Sequence, residues 1–497
     1  VLKIGVTGSA NHGADLLVNK GEVYVDATYN GETHIAGCMA YSVYDDKSDK
    51  ACTNCDNYGK VTVLGDYKYS STELRVAGVA GNVSTKTKTN TNLHNHETGD
   101  IYINLATNVG KIQAGGVMVK SKAALTNSTN RGDITILGKA GNTVYVGGVL
   151  AVQNGYERTD LTNYGKITIG ANINGGSCFV GGICYDGQYS KVWTRCHNHG
   201  DIEFTKEFTN TGNVRCGGIL GKHEIANQYA ILDGCSNSGN ISFLGHSDSY
   251  VRLGGLVGCH REGAIVVVRN GFTNSGNITY AGDVAGSDNV HIGGLIGCPS
   301  GTCKFALSST TTDESGASVT SEEGWSGTIV NTGTVTLTGS TEGGKLRAGG
   351  LFGLLETAEN PFHHGAKFYQ LGDVIFKGDV GTSAGVAGIS EIGGVVSYSA
   401  APVNNVECYC KIDAATATSF GFIMPTPRVP GSVIATNCKI GGVVVDSYDE
   451  EEDVYIETRL SSSNFHNYLF GSGKKTDWTG TDNYDGCTYL SSKPTIQ

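Results

Sequence analysis

Charge is scarce in this chain of 497 residues: Asp, Glu, Lys and Arg make up 17% of it, against about 25% in ordinary domains. The net charge is −11 and the basic residues are scattered. No stripe of Lys and Arg is laid out to track phosphates, which argues against a nucleic-acid partner. No apolar run approaches the roughly 18 residues needed to cross a bilayer, so no transmembrane segment is expected. Helical periodicity is missing from every long stretch. Catalytic signatures are missing too: there is no His-Glu-x-x-His zinc motif, no Gly-x-Ser-x-Gly elbow and no Walker loop. The segment from Gly471 to Thr476 has the Lys and Thr of a phosphate loop, but its first glycine stands at the wrong distance. No catalytic residue, resident metal or cofactor is therefore expected.

What is present is glycine, 73 residues of it, about twice the usual share, and it falls in a pattern. A Gly-Gly pair in an apolar strand is followed by a polar loop, then Asn-x-Gly-x-Ile/Val and another short strand. Clear copies of the second phrase are TNRGDITI (129–136), TNYGKITI (162–169), HNHGDIEF (197–204), SNSGNISF (236–243) and TNSGNITY (273–280). Between them lie VYVGGVLA (144–151), CFVGGICY (178–185), VRCGGILG (214–221), VRLGGLVG (251–258) and VHIGGLIG (290–297). The motif glycines fall at 21, 59, 99, 132, 165, 200, 239, 276, 333 and 372, separated by 38, 40, 33, 33, 35, 39, 37, 57 and 39 residues. The long step marks an insertion, placed at about 298–325. Self-similarity of this period means that each unit stacks on copies of itself.

Each unit offers two or three short strands. In GDITI, Ile134 and Ile136 point one way while Asp133 and Thr135 point the other. The punctuation is Gly, Asn, Ser, Thr and Asp, all turn formers. The expected fold is all-β: a parallel β-solenoid of about ten repeats of roughly 36 residues, ending in a cap. Asn57, Asn130, Asn163, Asn198, Asn237, Asn274 and Asn331 occupy equivalent positions and are expected to form an inward ladder closing a bend. Asn tolerates left-handed backbone angles, and the glycine after it is expected to supply a second positive φ. The paired glycines mark close backbone approach.

The 15 cysteines are odd in number, so at least one is unpaired in any intramolecular scheme. Cys55, Cys196 and Cys235 stand two residues before the repeat Asn, where sister units carry Leu161, Phe272 or Ile329. They read as small buried hydrophobes. Cys52 with Cys55, and Cys298 with Cys303, have pair spacing but no second matched half for a metal site. His197 and His199 read as polar loop positions, and His363 with His364 has no partner by spacing. Arg131-Gly132-Asp133 spells an integrin-type tripeptide, yet Gly-Asp recurs at 99–100, 200–201 and 372–373 as ordinary repeat grammar. The run from Asp449 to Asp453 reads as a solvated loop. One feature suggests contact with a ligand: Tyr156, Tyr185, Tyr189, Trp193 and Tyr229 follow the Gly-Gly strands and, with coils stacked, would line one edge as a strip for sugar or protein.

The Gly-Gly-Leu-Val-Gly (254–258) and Gly-Gly-Leu-Ile-Gly (293–297) phrases resemble GLUG-type repeats over roughly residues 20–400. Such repeats occur in large bacterial surface proteins, including immunoglobulin A peptidases and exported proteins of Bacteroidetes. The resemblance implies an exported bacterial repeat protein. It implies no peptidase activity, because those enzymes carry a zinc motif in a separate domain and none exists here. The chain opens on Val1 in strand-like sequence, which reads as a mature or partial chain, and its N-terminal rungs are a candidate for self-association. Repeat grammar fades after Gly394, and Pro425, Pro427 and Pro430 cluster soon after. Residues 1–400 are expected to form the solenoid and 401–497 a capping region. The expected role is a non-enzymatic extracellular surface protein, an adhesin or a structural fibre or stalk component, with a glycan or protein ligand. The competing expectation is a polysaccharide-active β-helix enzyme of lyase type, which needs carboxylates and a Lys or Arg base assembled from adjacent coils.

Overall fold

The computed structural model describes residues 14–41, 51–67, 73–83, 88–153, 156–187, 192–223, 229–260, 264–286, 289–299, 302–305, 311–312, 318–319, 328–355, 367–383, 385–399, 402–427, 434–449, 451–452, 454–471 and 484–496. The fold is an all-β parallel solenoid. It divides into two compact units, residues 1–223 with 236–251, and residues 224–235 with 252–497.

One coil of the first unit shows the plan. Leu125–Asn130 ends in a repeat Asn; Ile134–Gly147 carries the isoleucine pair and runs into the first paired glycine; Leu150–Gln153 returns. The next coil pairs with it in parallel and in register, Asn130 opposite Asn163, Ile134 opposite Ile167, Ile136 opposite Ile169 and Gly147 opposite Gly181. Register is set by period two: Ile134, Ile136, Ile167, Ile169, Ile202 and Phe204 are buried, whereas Thr135, Thr168 and Glu203 between them face outward. Burying one such side chain contributes roughly 2 kcal/mol. A slip of one residue would turn the whole column to water.

The repeat asparagines are buried and hydrogen-bonded in series. Each Nδ2 donates to the side-chain oxygen of the next coil: Asn57 to Asn95, Asn95 to Asn130, Asn130 to Asn163, Asn163 to Asn198 and Asn198 to Asn237, every one at 2.8 Å. The same amide donates to the carbonyl two residues on, as from Asn130 to Gly132 at 2.9 Å. In the second unit Asn274 donates to Asn331 at 2.7 Å, and Asn331 to Gln370 Oε1 at 3.0 Å. Asn19, Asn95 and Gln370 belong to these ladders although the repeat motif does not single them out. The step from Asn274 to Asn331 spans 57 residues, so one coil absorbs the insertion. Most of 298–325 lies outside the described residues.

The backbone at the ladder corrects one expectation. Neither the repeat asparagines nor the glycines after them have positive φ. The left-handed corner lies three residues earlier, at Asn54 (φ 51°), Asn92 (56°), Asn127 (45°), Asp160 (55°) and Arg195 (50°). These side chains face solvent and form an outer series of their own, Asn92 Nδ2 donating to Asn54 at 2.8 Å and Asn127 Nδ2 to Asn92 at 2.6 Å. The glycines are needed for space instead. A Cβ on Gly165 would lie 2.0 Å from the carbonyl oxygen of Gly132, and a Cβ on Gly148 would lie 2.0 Å from that of Gly182 and 2.5 Å from the Asn163 amide carbon. Glycine and asparagine are therefore one device: the missing Cβ lets the buried amides sit at coil spacing.

Cysteine fills apolar slots. Cys55 pairs in register with Leu93, and Cys216 with Val180. In the second unit parallel stacking runs on across residue 400: Val406–Asp413 pairs with Lys367–Gln370 and with Lys439–Asp449. Val454–Arg459 then lies antiparallel on Lys439–Asp449. The turn between them carries part of the acidic run, where Glu451 N–H donates to Asp449 Oδ1 at 2.9 Å.

Gly148→Ala should therefore lower stability by about 3 kcal/mol, as overpacking against main chain does. Gly31→Ala should be close to neutral, because nothing lies within 4 Å of where its methyl group would sit. Urea unfolding midpoints of the two variants check this; equal midpoints would contradict it.

Candidate functional site

Of the five aromatics expected to form a contact strip, Tyr189 lies outside the described residues, as does the side chain of Tyr229. Tyr156 is partly buried. Trp193 is fully buried and stands in register with Arg158. Arg158 stands in turn opposite Leu125, which stands opposite Asn90. Trp193 thus begins the strand of the next coil in an inward slot rather than ending a loop. Tyr185 is buried flat against Tyr145, ring centroids 4.1 Å apart. Neither of these two rings is exposed for a ligand to stack on, so Tyr185 and Trp193 do not belong to an exposed contact strip.

A different row is exposed in the first unit. The variable residue of Asn-x-Gly follows an inward amide, so it faces out, and successive coils place Tyr58, His96, Arg131, Tyr164, His199 and Ser238 there. Tyr58 lies on His96 at 3.8 Å with planes 7° apart. The Arg131 guanidinium lies over Tyr164 at 4.4 Å, Tyr164 stacks on His199 at 4.9 Å, and His199 Nδ1 is 2.7 Å from Ser238 Oγ. A flanking row one residue before the Asn adds Asp56, 2.8 Å from His96 Nε2, and His197, 2.7 Å from Ser236 Oγ. Because the rings cover one another's faces, the row presents edges, hydroxyls and ring nitrogens: a polar, planar ridge suited to hydrogen bonding. The signal for it lay in the sequence, in the residue types read down that one variable position.

The integrin-type tripeptide lies beside this row, and its aspartate is already engaged. Asp133 Oδ1 accepts the Lys166 N–H at 2.7 Å, as Asp100 accepts that of Asp133 at 2.9 Å and Asp201 that of Asn240 at 2.7 Å. The recurring Gly-Asp serves to hold the next coil.

Each unit also packs a second set of side chains against one another at its Gly-Gly corners, Phe179, Asp186 and Lys222 in the first and His291, Arg347 and Glu391 in the second being buried. Residues three before the second glycine point away from the core, and residues four after it face them. In the first unit Tyr145 stacks on Phe179 at 5.5 Å, the Arg215 guanidinium lies 5.0 Å and Lys222 Nζ 4.7 Å from the Phe179 ring, and Lys222 stands 3.8 Å from Asp186. Burial, with the Asp186 charge beside it, raises the Tyr145 pKa. Arg75 bonds Glu73 and Glu32, and its Nε donates to Gln113 at 3.0 Å. In the second unit the row reads Arg252, His291, Arg347 and Glu391. Arg252 donates to Cys259 Sγ at 3.1 Å; Arg347 pairs with Glu391 and lies 4.5 Å from the Tyr398 ring.

Among the described residues, no group of three or more His, Cys, Asp and Glu is arranged to hold a metal. Among them, too, no helix is long and apolar enough to cross a membrane. Cys52 and Cys55 have their sulfurs 3.7 Å apart; His363 and His364 lie outside the described residues, as does the side chain of Cys303. Comparison of the chain with protein-family models, with curated proteins and with solved structures finds no match.

The histidine row has a pH consequence. His94 and His197 are half-buried, and desolvation holds both below their ordinary 6.5. Folded chains then keep these rings neutral where unfolded chains protonate, so stability should fall as pH drops below about 6.5. Thermal unfolding at pH 7.5 and 5.5 should give the lower midpoint at pH 5.5, with a smaller drop in His197→Asn. An unchanged pH dependence in that variant would contradict the assignment.

Proposed function

We propose that this chain is a non-enzymatic extracellular protein of a bacterial cell surface, an adhesin or a structural fibre or stalk component built from GLUG-like repeats. One observation carries the reading. The inward position of the repeat is Asn in coil after coil of the first unit, while the outward position beside it holds Tyr58, His96, Arg131, Tyr164 and His199. A constant scaffold with a chemically varied outer row is what a display surface needs: the ladder fixes the spacing and the row is left to meet a ligand. The ridge fits a glycan or a protein that offers hydrogen-bonding edges. Leu16 and Leu17, between the first two described strands, and Val18, which opens the second, are exposed, and they supply an apolar edge through which another copy can add.

A second reading, a polysaccharide-active enzyme of lyase type, is favoured by Lys222 and Asp186, which stand 3.8 Å apart near Phe179 and Tyr145. A lysine base and a carboxylate on adjacent coils are the groups such a reaction requires. Lys222 and Asp186 are themselves an ion pair, as are Arg347 with Glu391 and Arg75 with Glu73; this supports the non-enzymatic reading, because ion-paired groups hold each other's charge instead of moving protons.

The purified chain should bind a subset of glycans or host matrix proteins on an array. Tyr164→Ser combined with His199→Ser should weaken that binding by about tenfold or more without lowering the melting temperature. Binding that survives this double change would contradict the display row. Acidic polysaccharides should yield no unsaturated product; turnover abolished by Lys222→Met would replace the first reading with the second.

A further inference from the structure

The outward face of the first unit carries more imidazole than the repeat requires. Two columns flank the repeat Asn there, the residue before it and the residue after it. They hold His94 and His96 in one coil and His197 and His199 in another. Register sets His94 opposite Thr129, Thr129 opposite Thr162 and Thr162 opposite His197. The two histidine pairs therefore stand three coils apart, about 14 Å at the usual strand spacing. Between them the second column holds Arg131 and Tyr164, both exposed. The fold asks for none of these rings, because Thr129, Thr162, Ser236 and Ser238 fill the same columns in sister coils.

Arg131 is the fixed charge of this face. Among the described residues no carboxylate pairs with it; its guanidinium lies on the Tyr164 ring, which leaves N–H edges to meet an anion. The nearby Asp100 and Asp133 each accept a main-chain N–H of the next coil. The histidines are the variable charge. His197 Nδ1 and His199 Nδ1 are each 2.7 Å from a serine hydroxyl, and a hydroxyl accepts as well as donates. Both rings therefore keep that bond in either charge state and turn Nε2 outward. His96 Nε2 lies 2.8 Å from Asp56, and the His94 ring stands 6.4 Å from that of His96. Around His94 are Asp56, His96 and Arg131, and around His197 are His199, Asp160 and Arg195; desolvation first, then the cations among these groups, holds both rings neutral. Glu97 is exposed in the corner after His96, and beyond the glycines the next column reads Lys60, Asp100, Asp133, Lys166 and Asp201. An anion bound along the face would set opposite charge against the desolvated rings. The complex then takes up protons that the free protein does not, so affinity rises as pH falls through the histidine range.

We propose that this face is a pH-gated receptor for an acidic glycan: Arg131 holds a carboxylate or sulfate, and His94, His96, His197 and His199 add positive charge and N–H donors as they protonate. This rests on the reading of the row as a ligand surface, to which it adds the charge of the ligand and the condition under which it binds. A glycan suits the face better than an acidic peptide. The cationic groups are separated by the hydroxyls of Thr129, Thr162 and Tyr164, which match a chain whose own hydroxyls lie between its charged groups.

The test is calorimetric titration of the full chain at pH 7.5 and 5.5 and constant ionic strength, with polygalacturonate, dextran sulfate, neutral dextran and polyglutamate as probes. At least one of the two acidic glycans should bind about tenfold or more tightly at pH 5.5 than at pH 7.5, with proton uptake seen as a heat that changes with the buffer. Polygalacturonate against dextran sulfate separates carboxylate from sulfate, and neutral dextran should not bind. His94→Thr combined with His197→Thr copies the sister coils, so it should melt no lower than wild type at pH 7.5 and should flatten the pH dependence of binding. Arg131→Ser should weaken binding at both pH values. His246→Gln, outside the two columns, should change neither. Equal affinity at the two pH values, or a pH dependence kept by the double histidine variant, would overturn the gate. A markedly lower melting temperature of that variant at pH 7.5 would do so too, by showing that the rings are structural. Tighter binding of polyglutamate than of either acidic glycan would replace the glycan with an acidic protein. No binding of any charged probe, while the Tyr164 and His199 changes still abolish array binding of an uncharged ligand, would overturn the proposal and spare the surface reading. Charged-probe binding untouched by the Arg131, Tyr164 and His199 changes would remove the row from both.

Discussion

A buried primary amide that donates to the next coil is the constraint on which this fold depends. Asn57, Asn130, Asn163 and Asn198 each accept one side-chain hydrogen bond from the coil before, donate one to the coil after, and donate another to their own corner carbonyl two residues on; Asn95 does the same but reaches four residues on, to Gly99. All the donors point toward the C-terminal coils, so the bonds polarise one another in series. Inside the solenoid water cannot replace a missing partner, and an unpaired amide costs its full desolvation. The chain is thus bound to repeat one residue type at one place per coil. The glycines follow from the same requirement, because a Cβ on either glycine column would strike the stacked carbonyls and, at the paired glycine, the amide as well. Apolar columns of Ile, Val and Phe supply most of the stabilisation; the ladder and the glycines decide the spacing at which they stack.

That division leaves the outward positions free of structural duty. Asn-x-Gly fixes its first and last residues and leaves the middle one to face solvent, so Tyr58, His96, Arg131, Tyr164 and His199 could diversify without disturbing the coil. The rows at the Gly-Gly corners are likewise not specified by the repeat, although most of their side chains are buried against one another. Two strands meet there with their outer faces turned toward each other, and Tyr145, Phe179 and Lys222 in one unit, or Arg252, His291 and Arg347 in the other, come together although far apart in sequence. Function, on this account, is written on the positions that the repeat does not specify.

The parallel stack and its Asn ladder were legible in the sequence because both are periodic, and the eye needs only one column to find them. Where a coil departed from the period, legibility stopped short. Asn95 was missed because two extra residues separate it from Gly99, and Gln370 because the amide there is one methylene longer. The positive-φ corner was placed at the wrong residues: Asn, Asp and Arg share that backbone position, and such mixed chemistry hides a purely conformational role. Trp193 looks like a loop ring in the sequence because the start of the next coil's strand carries Cys52, Asn90, Leu125 and Arg158 in sister coils, a slot with no common chemistry. The packed Gly-Gly corners were illegible in principle. Period-two alternation shows which residues leave the core, but not that two outward faces fold toward each other.

The most direct test of the ladder compares Asn163→Ala with Asn127→Ala by urea unfolding. Both remove one Asn amide from the same region; only Asn163 belongs to the buried series, while Asn127 lies exposed at the corner. The account predicts that Asn163→Ala loses about 3 kcal/mol or more, since it leaves its neighbours in the series without partners, and that Asn127→Ala loses a small fraction of that. Equal losses in the two variants, or a loss below about 1 kcal/mol for Asn163→Ala, would contradict the claim that the buried amides set the stack.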